Sequence, residues 1–98
     1  MRTLKQHISN EKKVYVLTPD LPASLRFLAD AELEGLTFSD GSLPSSNHPS
    51  DLFALLPNGG ICYVGTAGRI CFRCDKTAVR IDYKKYILNE KDYIIENK

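Results

Sequence analysis

Cys71-Phe72-Arg73-Cys74 is the one pair of cysteines at metal-ligand spacing in this 98-residue chain. Two thiolates three apart hold zinc when they sit on a tight knuckle with two further ligands nearby. Cys62 and His48 would have to complete such a set. The stretch reads as a strand, however, and residues three apart in a strand point to opposite faces. A redox C-x-x-C leads into a helix, and this one does not. Cys62, Cys71 and Cys74 are therefore expected as free thiols packed as small apolar groups, with no metal bound. His48 has Ser45, Ser46, Ser50 and Asp51 around it, the residue types of a hydrolase triad. A triad needs an oriented base and a strained nucleophile turn, and nothing like G-x-S-x-G is present. The expectation is a solvated loop. Gly65-Thr66-Ala67-Gly68-Arg69 and Asn58-Gly59-Gly60 lead into strands, not helix N-termini, so they read as hairpin turns and not phosphate cradles.

The cations carry more. If Ile61 to Tyr83 is a meander of three short strands, Arg69, Cys71 and Arg73 share one face and Ile70, Phe72 and Cys74 the other. On the next strand Val79, Ile81 and Tyr83 look inward, while Arg80 and Asp82 look outward. Arg69, Arg73 and Arg80 then cluster on the solvent face of adjacent strands, with Lys84 or Lys85 at the edge. Arginine's planar fork suits carboxylates and phosphates. The plainer alternative is a solvated sheet face balanced by Asp75 and Asp82.

The elements that position these residues follow from pattern. Met1 to Lys12 reads as a loose arm or frayed lead-in. Lys13 to Thr18 is a strand apolar on both faces, hence central. Asp20 is placed to cap a helix that Pro22 tolerates and that runs to about Glu34, with Gly35 at C′. Leu21, Leu25, Leu28 and Ala29 form its core stripe. Phe27 lies off that stripe, covered by a loop or exposed. Leu36 to Ser39 is a short strand, Asp40-Gly41 a turn, and Ser42 to Ser50 a loop. Asp51 to Leu56 pairs back onto Ile61 to Gly65 through the Asn58-Gly59 turn. Thr66 to Gly68 and Asp75 to Thr77 turn the meander. The segment after Tyr83 is a short helix or a final edge strand. The sum is one α+β domain, a mostly antiparallel sheet of five or six strands with one helix packed on one face.

Composition narrows the classes. An apolar fraction of 43%, a charged fraction of 26% and a net charge of +1 describe an ordinary globular protein. They exclude a disordered chain and a generic nucleic-acid coat, which is far more basic. No apolar run is long enough to span a membrane, and the first ten residues lack a signal core. A reducing cytoplasm is expected.

The stretches KVYVLTP, AELEGLTFSDG and YVGTAGRI…VRIDYKKYI, between Lys13 and Ile87, resemble small accessory proteins of phages, prophages and mobile elements of Firmicutes-type bacteria. These are strand, helix and turn patterns without chemistry, so no functional residue carries over. The resemblance implies a non-enzymatic binding protein of a bacterial host's cytoplasm, of the kind that blocks a host defence component. Its expected partner is a host protein, met through Arg69, Arg73, Arg80, Lys84 and Phe27. The alternative is a binder that sequesters a phosphate-bearing nucleotide signal on the arginine face. Neither reading requires a cofactor.

Overall fold

The computed structural model describes residues 4–8, 14–74 and 78–95, with backbone alone for Lys5, Ala67, Gly68 and Cys71. The described elements are β1 (Val14–Leu17), α1 (Leu21–Leu33), β2 (Thr37–Phe38), β3 (Leu52–Leu55), β4 (Gly60–Tyr63), α2 (Thr66–Cys74), β5 (Val79–Asp82) and α3 (Tyr83–Ile87). The expected turn at Asp75 to Thr77 lies outside the described residues.

The strands form one five-stranded sheet in the order β2-β4-β3-β1-β5. The sheet is mixed, which corrects the expectation of a mostly antiparallel one. β1 runs parallel to β5, and β2 parallel to β4; only β3 runs against its neighbours. Beyond β5, Ile94 bridges Ile81 antiparallel, and Ile95 donates to the Arg80 carbonyl. The segment after Tyr83 thus supplies both a short helix and an edge pairing.

The meander over Ile61 to Tyr83 does not form. Thr66 to Cys74 is a helix. The reason is topological: β5 must start at the same end of the sheet as β1, while β4 finishes at the other end. A chain returning to start a parallel strand needs a long crossover, usually a helix. Pairing Arg69 to Cys74 back onto β4 would leave no such path.

The two crossovers run in opposite directions along the sheet and lie on opposite faces, as a single crossover hand requires. α1 covers the face bearing Val14, Val16, Phe53, Leu55, Ile61 and Ile81. α2 covers the face bearing Tyr15 and Leu52, where Phe72 packs edge-on against Tyr15 at 5.6 Å.

α1 starts and stops where its local signals place it. Asp20 accepts from the Ala23 amide at 2.9 Å. At the far end Gly35 takes φ +80°, and Leu36 donates to Ala31 while Gly35 donates to Glu32, each at 3.0 Å. This pair of bonds takes up two of the last carbonyls of the helix. Its buried side is not the expected one. Ala23, Ser24, Phe27, Leu28 and Ala31 face the core, while Leu21, Leu25 and Ala29 face outward. Of the expected stripe only Leu28 is core. Phe27, at 0% exposure, stacks on Phe53 at 4.6 Å and meets Tyr83 edge-on at 5.4 Å.

Part of the expected loose arm is also core. Leu4 is fully buried, and its amide donates to Glu34 at 2.9 Å. His7 packs edge-on against Tyr86 and Tyr93.

Candidate functional site

Four of the five strands point the same way, so their carboxyl ends gather at one edge of the sheet. β1 leads there into α1, β4 into α2 and β5 into α3. The reversed strand β3 begins at the same edge, so the 39–51 loop ends there too. The crevice outside the carboxyl ends, where crossovers diverge to opposite faces, is where open α/β sheets usually place ligands.

Hydroxyl groups lock this edge. The Thr18 amide donates to the Asp51 carbonyl at 2.8 Å. Buried Thr18 and Ser24 both donate their hydroxyls to the Ser50 carbonyl, and the Ser50 amide returns to Ser24 Oγ at 3.0 Å. A depression of about 270 Å³ opens between the start of α1 and residues 49–51. Pro19, Leu21 and Pro49 give it apolar walls, and Asp20 and Asp51 also line it.

Each aspartate holds a cation from a different helix. Lys84 Nζ of α3 lies 2.8 Å from Asp20 Oδ2. Arg69 of α2 grips Asp51 with both arms, Nη2 to Oδ1 at 2.6 Å and Nη1 to Oδ2 at 3.1 Å. Lys84 and then the Ala23 amide hold the Asp20 carboxyl below its ordinary range, and Arg69 does the same for Asp51. Both pairs are exposed, and such pairs contribute about 0–1 kcal/mol each.

An aromatic stack stands in the same loop system. His48 lies on Tyr63 with ring centroids 4.6 Å apart. Tyr63 Oη donates to the His48 carbonyl at 2.8 Å and lies 3.2 Å from His48 Nδ1. His48 is exposed, as a solvated loop residue should be, but it is held. The triad geometry is not assembled. Nδ1 faces Tyr63, Asp51 is engaged by Arg69, and the Ser50 hydroxyl is 3.5 Å from Asp51, too long for a strong bond.

The expected arginine face is not formed. Arg69 and Arg73 lie one turn apart on α2. Arg80 is on β5, 5% exposed, donating through Nη1 to the Phe72 carbonyl at 3.1 Å and through Nε to the Ile95 carbonyl at 3.2 Å. Arg80 and Phe27 are therefore interior groups, and Arg73 is exposed at the end of α2. Of the five expected residues, the structure brings Arg69 and Lys84 onto Asp51 and Asp20, two carboxylates that line one depression. Asp51 was weighed only as a triad member beside His48, and Tyr63 was missed. Asp51 meets Arg69 only because Arg69 is on a helix, and no local signal carries that. Asp20 was legible as a cap, but not as the partner of Lys84.

Cys62 and Cys74 are free thiols, Cys62 half-buried and Cys74 exposed. Because 71–74 is helical, the strand argument for diverging sulfurs does not apply; the Cys71 side chain lies outside the described atoms. Among the described residues no three His, Cys, Asp or Glu side chains gather to hold a metal ion. Among the same residues no helix is long and apolar enough to cross a membrane. Compared with family models, curated proteins and solved structures, the chain matches none.

Proposed function

We propose that this chain is a non-enzymatic binding protein that takes an acidic segment of a protein partner at the carboxyl edge of its sheet, with Arg69 and Lys84 as the recognising cations. The observation that carries this reading is the pair of exposed cations, each held by an aspartate that lines one depression. Replacing an aspartate by a partner's carboxylate exchanges one screened pair for another, at little cost to the fold. Arg69 already shows the two-armed geometry that a carboxylate demands. The resemblance to phage and mobile-element accessory proteins makes a host component, a defence protein among them, the partner class, and the bacterial cytoplasm the compartment.

A small phosphate-bearing ligand is the second reading. The depression is close to the smaller ligand pockets in volume, and the same cations pair with two of its lining residues. It ranks second because Arg80, the third cation of that reading, is engaged in the interior.

The test is capture from a bacterial host lysate by wild type and by the Arg69→Glu/Lys84→Glu double variant, with native mass spectrometry of what is held. Circular dichroism checks folding. The double variant should lose the captured protein, and wild type should release it as salt rises, since exposed charges are screened over about 8 Å at physiological ionic strength. A folded double variant that holds the same protein as tightly as wild type overturns the reading. A nucleotide in place of a protein selects the second.

A further inference from the structure

α2 is held to the sheet by little. A helix of nine residues is too short to persist by itself, so its shape depends on what it packs against. The core beneath it is the smaller of the two, built on Tyr15, Leu52, Val64 and Ala78, with Phe72 resting against it. Ile70 is 58% exposed, and the pair of Arg69 with Asp51 lies on the surface. At the carboxyl end of α2, Arg80 Nη1 donates to the Phe72 carbonyl at 3.1 Å. Phe72 is among the last four residues of the helix, whose carbonyls have no partner within it. A cation is also the charge that this end of a helix favours.

The same guanidinium is fastened to the outermost segment of the sheet. Residues 93–95 lie along β5, with the Asp82 amide donating to the Tyr93 carbonyl at 2.7 Å and the Ile95 amide to the Arg80 carbonyl at 2.8 Å. Arg80 Nε then donates to the Ile95 carbonyl at 3.2 Å, so one residue of β5 holds Ile95 by main chain and by side chain. Of the segment's side chains, Tyr93 rests on Tyr86 at 4.8 Å, while Ile94 is 41% exposed. If the segment leaves β5, Nε loses the Ile95 carbonyl, and a buried charged donor that loses its acceptor is costly. The guanidinium is planar, so Nε and Nη1 turn together. Turning toward water at the bared margin takes Nη1 off the Phe72 carbonyl.

We propose that residues 93–95 form a strap that locks α2 through Arg80, and that strap and helix open as one unit while the rest of the fold stays closed. Local units of this kind open at less than the global free energy. The coupling is reciprocal: loosening the helix releases the strap as much as loosening the strap releases the helix. The inference does not rest on the carboxyl-edge reading, since it needs no partner. It adds that the helix carrying Arg69 is held from the β5 margin of the sheet.

Amide hydrogen exchange of the full chain, resolved by residue, tests this directly. Ile95→Pro removes the amide whose bond the Arg80 carbonyl accepts. It should speed exchange across α2 by about tenfold or more and leave α1 within about twofold of wild type. In the reverse direction, Phe72→Ala takes the ring of α2 off Tyr15 and should speed exchange of the Asp82 and Ile95 amides, which make the strap pairing. Ile94→Gly weakens the strap more gently and gives the same readout if Ile95→Pro folds poorly. An α2 that exchanges as in wild type when the strap is loosened overturns the proposal. So does a rise that α1 shares in equal measure, since that is global unfolding, or a Phe72→Ala that leaves the Ile95 amide as slow as before.

Discussion

Arg80 lies beneath the end of α2 with its guanidinium tied to two backbone carbonyls, one from the helix and one from the edge segment at Ile95. An interior cation so engaged is structural. Arg80→Glu should unfold the protein, since it puts an acid against carbonyl oxygens where a donor was needed. Arg73→Glu, on exposed surface, should change stability by no more than about 0.5 kcal/mol. Urea denaturation of the two variants checks this contrast. Phe27 and Leu25 are separated in the same way. Phe27→Ala removes a ring from the centre of the core and should cost about 3–5 kcal/mol, much of a small domain's stability. Leu25→Ala, at a half-exposed position, should cost less than about 1 kcal/mol. A Leu25→Ala loss as large as that of Phe27→Ala would reverse the assignment of the helix faces.

Between elements, a buried phenol ties α3 to α1, in addition to the surface pair of Lys84 with the cap Asp20. Buried Tyr83 donates to Asp30 Oδ2 at 2.5 Å, and Arg26 Nε holds the same carboxylate at 2.9 Å. Burial first, and then the bond to Asp30, push the Tyr83 phenol far above its ordinary 10.0. An acid whose folded value is raised stabilises the fold while protonated, so this contribution is whole below pH 10 and fades as pH rises beyond it. Tyr83→Phe should lower stability by about 1 kcal/mol near neutrality and flatten the alkaline decline. Denaturation of both proteins between about pH 7 and 11 gives the difference curve; parallel curves would mean the phenol is not coupled to folding. The elements that could be read from the chain are those with local punctuation. Asp20 and Gly35 bound α1, and the Gly59 amide closes the β3–β4 turn on Leu56 with φ +87°. α2 was misread because Arg69 to Cys74 alternates apolar and polar residues while Ile70, Cys71 and Cys74 also keep helical spacing. The face of α1 was misread because both sides are apolar, and only the sheet it meets decides between them. The cation cluster fell with α2, since strand and helix send the same arginines to different places. The parallel β1–β5 pair leaves no mark in either segment.

Over the whole molecule, the sheet protects one of its margins by construction. β2 is two residues long, and its outward groups are used at once: the Phe38 amide donates to Ser42, and its carbonyl accepts from Gly41. A strand so short and self-bonded offers no template to another chain.

Strand order also sets a timetable for synthesis. Val14 pairs with Leu55 on one side and with Val79 on the other, so β1 is completed by a strand made about sixty residues later. While a ribosome is still extending the chain through α2, β1 has one flank satisfied and the other bare. The apolar side of α1 can settle on β1 and β3 by then, but Ile81 and Tyr83 are still to come. The nascent protein thus carries an open strand margin until β5 emerges. Translation at about 5–20 residues per second keeps that interval to a few seconds. A pause within α2 would lengthen it, and with it the time in which a neighbouring nascent chain can pair with β1 in place of β5.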